Sequence, residues 1–327
     1  MPFEVKKLDK YEQGGVLDAQ VEDFLNLLTQ MNLPPLESMT PSEARESAIE
    51  GFKSMNFPRE EVSCIENFKI PGPEECEIRL RTYYPSGNDP FPAVLYFHGG
   101  GWVLDNLDTH DHVCRSLCSG AECVVVSVDY RLAPENKFPA AVVDCYEATN
   151  WVSENSEAIK VDPLRIAVGG DSAGANLATA VSLTARDIGK PRIAFQLLVC
   201  PVTDLSSFDR DSCKRYADGY FLTLSQMEWF KELYVEKPDD AYDPRVSPLL
   251  ARDLSGLPAS LIITAEFDLL RDEAEKYAQR LQSHGVPVQC SRYNGMIHDF
   301  FLLMGLVDRA RDAMDEACNS LRDALFG

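Results

Sequence analysis

Apolar residues along this chain fall into two patterns. Short, nearly unbroken Val, Ile and Leu runs occupy residues 93–97, 123–128, 166–168, 195–199 and 261–264. Runs of this kind mark strands of a parallel sheet that is covered on both faces. Segments of helical character lie between several of them, as at 140–153 and 173–186. Alternating strands and helices predict an α/β protein: a mostly parallel sheet with right-handed crossovers and flanking helices. Residues 77–83 instead alternate apolar with polar, as a half-exposed strand does. A further strand is expected near 290–293. Near the N-terminus, Val21, Phe24, Leu25, Leu28 and Met31 share one face of a predicted helix that Pro34 and Pro35 end. Thr40-Pro41-Ser42-Glu43 then reads as a capping box with proline at the first helical position, which starts a second helix.

The rhythm breaks between Val199 and Leu261, where no convincing core strand occurs. Within this interval Thr223-Leu224-Ser225-Gln226 is suited to cap a helix carrying Met227, Phe230 and Tyr234. The expected organisation is N-terminal cap helices over 1–55, a first part of the core over 56–203, a second cap segment over 204–250, and the rest of the core over 251–327. The alternative is that both cap pieces simply pad the core.

Composition and charge narrow the partners. The chain has 327 residues, 45% hydrophobic and 25% charged, an ordinary globular balance. Lys plus Arg number 31 against 52 Asp plus Glu, a net charge of −21. That excess repels phosphate backbones and anionic lipid, so neither nucleic acid nor a membrane is an expected partner. No apolar stretch approaches the ~18–20 residues of a membrane span, and the first ten residues lack the apolar core of a secretory signal. The ten cysteines contain no C-x-x-C pair, and Cys114 and Cys118, the closest two, are poorly spaced for zinc. They read as reduced thiols in the cytoplasm.

Gly170-Asp171-Ser172-Ala173-Gly174 carries the chemistry. This G-x-S-x-G sequence follows a predicted strand and opens a predicted helix. A turn that sharp forces its serine into a strained conformation and holds the hydroxyl at the C-terminal edge of the sheet. His98-Gly99-Gly100-Gly101-Trp102 follows the strand at 93–97. Acyl transfer needs preorganised N–H donors for a tetrahedral oxyanion, and glycines let backbone amides approach it. The amides of Gly99, Gly100 and Ala173 are the candidates. Neither a dinucleotide fingerprint nor a phosphate-binding G-K-[S/T] loop is present. A base and an orienting acid should follow the serine in the order acid, then histidine. His298 lies in a loop after the strand near 290–293, whereas His284 ends a helix. Asp268 lies just past the strand at 261–264, with Glu266 its nearest rival and Asp272 and Glu273 already on the next helix. His98, His110 and His112 are expected to orient loops, although Asp111 between the last two hints at a metal site.

With these motifs in place, the sequence resembles the hormone-sensitive-lipase-like family of α/β-hydrolase carboxylesterases, in its GDSAG-type branch. Asp108-Thr109-His110-Asp111, Asp129-Tyr130-Arg131-Leu132-Ala133-Pro134-Glu135 and Asn32-Leu33-Pro34-Pro35-Leu36 match as well, from about residue 18 to the last helix. The resemblance implies hydrolysis of short-to-medium acyl esters by Ser172, His298 and Asp268, a two-part cap, no metal or organic cofactor, and a homodimer formed through the edge strand near 286–293. Phe24, Leu28, Phe221 and Phe230 are candidates for the pocket roof, with packing of the helix core as the alternative. Leu269 stands where many members have proline. Asp299 stands where glycine is usual and brings a second carboxylate near His298. Two rival functions share this sequence pattern: an amidase or deacetylase with the same triad, and a non-catalytic ligand receptor, which would lack the histidine.

Overall fold

The computed structural model describes residues 15–55 and 57–327, so residues 1–14 of the expected N-terminal cap lie outside it. Eight strands form one sheet: β1 (Cys64–Pro71), β2 (Glu77–Tyr84), β3 (Phe91–Phe97), β4 (Val124–Asp129), β5 (Val161–Asp171), β6 (Phe195–Val199), β7 (Ala259–Phe267) and β8 (Val288–Ile297). Their spatial order is β1-β2-β4-β3-β5-β6-β7-β8. β2 pairs antiparallel with β1 and β4, and every other pairing is parallel. The continuous apolar runs are the central parallel strands, as the pattern predicts.

Strand residues alternate between two cores because side chains project to opposite faces. Leu95, Val126 and Val128 join one core, with Ala148 and Val152 of α4 (Ala140–Glu154), Leu177 and Ala178 of α5 (Ala173–Ile188) and Leu281 of α8 (Arg271–Ser283). Val94, Tyr96 and Val125 join the other, with Leu117 of α3 (Asp111–Ala121) and Ala313 and Leu321 of α9 (Asp308–Phe326). Fully burying each large side chain contributes roughly 1.5–3 kcal/mol.

The N-terminal helices form as their signals predict. Asp18 caps α1 (Ala19–Met31) by accepting the Gln20 N–H at 2.9 Å. Thr40 and Glu43 exchange backbone–side-chain bonds of 2.9 and 3.3 Å at the start of α2 (Pro41–Met55). Arg45 of α2 donates to Val103 O and Ala133 O, both at 2.7 Å, and so ties this helix to the loops after β3 and β4. Between β6 and β7 the described chain has no strand, only α6 (Asp211–Arg215), α7 (Leu224–Tyr234) and short turns. Thr223 and Gln226 complete the capping box of α7. Phe24 of α1 meets Phe221, which precedes α7, with ring centroids 5.9 Å apart.

Three elements depart from the apolar pattern. β1 is largely exposed, with only Ile70 buried, so its pairing with β2 gives little burial signature. β5 and β8 extend well beyond their apolar runs, because backbone pairing with β3 and β7 continues where side chains are polar. Among the described residues no helix is long and apolar enough to cross a membrane.

Candidate active site

The Ser172 turn joins β5, central in the sheet, to α5. Ser172 has φ 51° and ψ −116°, a left-handed-side backbone that a side-chain-bearing residue adopts only under constraint. Its N–H donates to Val199 O at 2.8 Å, which pins the turn to β6. The flanking glycines are needed for closeness. A Cβ on Gly170 would lie 2.3 Å from Phe97 O, and one on Gly174 only 1.8 Å from the same atom. Residue 172 therefore caps α5, whose unpaired first amides and helix dipole favour negative charge at this spot.

His298 follows β8 directly, and Asp268 follows β7. His298 Nε2 lies 3.0 Å from Ser172 Oγ, and Nδ1 lies 2.8 Å from Asp268 Oδ2. Asp268 is fixed in turn, its Oδ1 accepting the Leu270 N–H at 2.9 Å. All three side chains are buried. Burial by itself lowers the basicity of His298, but the charges of Asp268 and Asp299 outweigh it and raise its pKa well above the ordinary histidine value. The rivals serve elsewhere. His284 contacts Arg280 O at a helix end, and Glu266 accepts the Gly295 N–H at 2.9 Å.

Asp171, next to Ser172, gathers a residue of β3 and one from the loop that follows it. Tyr96 donates to Asp171 Oδ1 at 2.7 Å, and His110 Nε2 meets Oδ2 at 3.1 Å. The Thr109 hydroxyl donates to Asn106 O, so its oxygen receives His110 Nδ1–H at 2.9 Å. Burial lowers the pKa of His110, yet the charge of Asp171 outweighs it and lifts it to about 9. The Gly99 N–H donates to His110 Nε2 at 3.4 Å, so this candidate oxyanion donor already has a buried partner. Gly100 takes φ +85°, and Phe230 packs so closely on Gly101 that a Cβ there would lie 2.3 Å from its ring. His98 stacks on Tyr130 at 4.3 Å and is kept neutral by burial, which takes its pKa down to about 3. His112 stacks on Phe57 at 4.5 Å and contacts Leu302 O at 2.9 Å.

Neither arrangement of possible metal ligands is suited to the task. Asp111 engages Tyr83 and Arg115 while His110 and His112 face other partners, so the three do not converge. Cys200, Asp268 and His298 do bring ligand atoms within 4.8 Å of one another. There the carboxylate and imidazole bind each other, and burial holds the Cys200 thiol protonated, with its pKa far above the usual value.

Sequence reading did not find the Asp171–His110 pair, nor Asn176, whose amide donates to Val202 O and Val246 O, both at 2.9 Å. Only the fold brings those partners together. Ser172, His298 and Asp268 share one site, with the Gly99-Gly100 loop and Ala173 beside it. The arrangement suits removal of the serine proton and stabilisation of the charge that results.

A family model described as alpha/beta hydrolase fold matches residues 94–302. The carboxylic ester hydrolase LipN of Mycobacterium tuberculosis is 43% identical over 318 residues, covering 94% of this chain and 83% of that protein. An arylesterase of Saccharolobus solfataricus is 39% identical over 285 residues, covering 87% and 92%. The structure of an ester-hydrolase from the metagenome of Lake Arreo, complexed with a bipyridine phosphonate derivative, superposes with a TM-score of 0.92 at 38% identity, covering 95% of this chain and 100% of that one. The chain thus belongs to the α/β-hydrolase fold family, in its hormone-sensitive-lipase-like branch, and is a carboxylic ester hydrolase.

Proposed function

We propose that this carboxylesterase works through an acyl-enzyme on Ser172, with His298 as general base and Asp268 as its orienting acid. The observation that carries the reading is the continuous contact chain of 3.0 and 2.8 Å that ends on a serine in a strained turn. Ser172 Oγ attacks the ester carbonyl as Nε2 takes its proton. His298 then gives that proton to the departing alkoxide, and water cleaves the acyl-enzyme by the same route. Asp268 fixes the proton on Nδ1 and stabilises the imidazolium. The amides of Gly99, Gly100 and Ala173 receive the oxyanion at the α5 N-terminus.

The substrates are small esters with short-to-medium acyl chains. The described residues of 1–55, from Gly15 on, and residues 204–250 act as a two-part cap; the Phe24–Phe221 contact and the packing of Phe230 on Gly101 support this. A closed pocket gains about 0.8 kcal/mol per methylene until its wall is reached, and overpacking then reverses the trend. The optimum falls at roughly four to eight acyl carbons. Ten free thiols fit a reducing compartment, the cytoplasm. β8, an edge strand, is the dimer contact, since pairing there would cover its open backbone groups.

The test compares wild type and Ser172→Ala on p-nitrophenyl acetate, butyrate, octanoate and palmitate, with an anilide in parallel. Loss of turnover by orders of magnitude in a folded variant is expected, with the wild-type maximum at butyrate to octanoate. Residual activity within tenfold of wild type would reject Ser172, and a maximum at palmitate would reject the closed cap.

A further inference from the structure

The catalytic imidazole touches two carboxylates. Besides Asp268 on Nδ1, Asp299 Oδ2 lies 3.2 Å from Nε2, the nitrogen that must accept the Ser172 proton. Asp299 is held there by its backbone, at φ 53° in the left-handed region. Its residue is only 9% exposed, and its Oδ1 is buried without a hydrogen-bond partner. A buried acceptor of this kind is costly unless it serves something.

A neutral Nε2 presents a lone pair, and an ionised Asp299 presents another. The two repel at 3.2 Å unless a proton lies between them. That proton makes either an imidazolium facing a carboxylate or a carboxylic acid donating to the imidazole. In both forms the lone pair is occupied and Ser172 cannot hand over its own proton. Above the pair's apparent pKa the proton is gone, and the balance reverses. When Nε2 then takes the Ser172 proton, the imidazolium forms beside an existing anion that stabilises it.

We propose that Asp299 is a positioning residue that sets the pH range of the enzyme, holding His298 inactive by a shared proton at low pH and strengthening it as a base at high pH. The proposal rests on His298 being the general base. His298 and Asp299 then titrate as a unit, and the acid limb belongs to the pair.

Other titratable groups face Asp299 from several elements. Asp171 from β5 and Asp268 from the loop after β7 both disfavour its charge, as burial does, while His298 favours it. Cys200 after β6 and Tyr96 of β3 are kept neutral by burial, their pKa values well raised. His110 has its pKa lifted to about 9 by Asp171 against the effect of burial. Asp105, in the loop after β3, is raised to about 6 by burial and is the one neighbour that needs a control.

The experiment is the pH profile of kcat/KM on p-nitrophenyl butyrate for wild type, Asp299→Asn, Asp299→Gly, Asp105→Asn and His298→Ala. Asp299→Gly suits the positive φ, and it removes the carboxylate without adding an amide donor. Both Asp299 variants should move the acid limb down by about one pH unit or more. They should exceed wild type on the acid side and fall below its plateau on the alkaline side, so the profiles cross. Asp105→Asn should leave the limb within a few tenths of a unit. Unmoved limbs in both Asp299 variants, or profiles lowered in parallel without crossing, would overturn the proposal. A limb that moves equally in Asp105→Asn would assign it to Asp105 and overturn it as well. An active His298→Ala would instead reject the general base itself, an outcome read separately from the Asp299 results.

Discussion

Replacing Gly174 by alanine tests how tightly the Ser172 turn is built. The added Cβ would meet Phe97 O at 1.8 Å and His98 O at 2.6 Å, where ordinary contact begins at 3.4 Å. The shortfall is 3.4 − 1.8 = 1.6 Å, and both obstacles are backbone atoms with no rotamer to change. Phe97 is also fully buried and paired on both sides, to Val128 of β4 and Gly170 of β5. Either the start of α5 or the end of β3 must move. Overpacking of this kind costs about 1–3 kcal/mol, and rigid neighbours place this site at the upper end, ~3 kcal/mol. The end of β3 leads directly into Gly99 and Gly100, and α5 begins at Ser172 and Ala173. Any relief therefore separates Ser172 from the proposed oxyanion donors, and a misplacement on the order of 1 Å costs about 100-fold in rate. Thermal unfolding by circular dichroism and kcat/KM on p-nitrophenyl butyrate read the two effects. Gly51→Ala is the control: it lies inside α2 with nothing within 4 Å of the new Cβ, and it should stabilise by up to about 1 kcal/mol. A Gly174→Ala protein with wild-type midpoint and rate would refute the steric reasoning.

Other measurements reach other parts of the molecule. In wild type, burial weakens His298 as a base but Asp268 and Asp299 more than compensate. The acid limb of kcat/KM should therefore lie above the ordinary ~6.5, with an optimum on the alkaline side; an optimum below about pH 5 would contradict a histidine base. His110 is raised from 6.5 to about 9 by Asp171 against the effect of burial. A raised base contributes stability that is complete below pH ~6.5 and lost as pH rises through about 9, on the order of 3 kcal/mol. Urea midpoints should fall across that window, and His110→Gln should be less stable at pH 6 and flatter with pH; an unchanged slope would count against the pair. Glu273→Ala leaves the Thr203 and Asp204 amides, which it now accepts at 2.7 and 3.0 Å, without a partner. The expected loss is ~1–3 kcal/mol for each buried group, while Glu273→Gln, which keeps an acceptor oxygen, should lose less in the same titration. Light scattering at micromolar concentration should give twice 36.5 kDa; a monomeric mass would remove the β8 contact.

Much of this protein is determined by short stretches of sequence. The strands at 93–97, 195–199 and 261–264 were legible because both their faces are buried, so continuous apolar residues were required. Thr40, Thr223 and the glycines at 170 and 174 announced local geometry through capping and steric exclusion, which act within a few residues. The turn at Ser172 was legible for the same reason, and the positions of Asp268 and His298 beside it because each follows its strand. β1 was not, since an exposed edge strand owes its place to pairing with β2 and its own residues carry no pattern. Tertiary structure alone decided the contacts between distant segments. The Asp171–His110 pair spans 61 positions, and its partners look like ordinary loop and motif residues until the chain folds. The sequence placed Asp299 beside His298, but neighbours in a chain can point apart. Its left-handed backbone and burial under the converging strand ends turned that adjacency into a 3.2 Å contact with Nε2. Local sequence determines conformations that depend on a few adjoining residues. Burial and charge balance depend on everything within several ångströms, and only the assembled sheet supplies that.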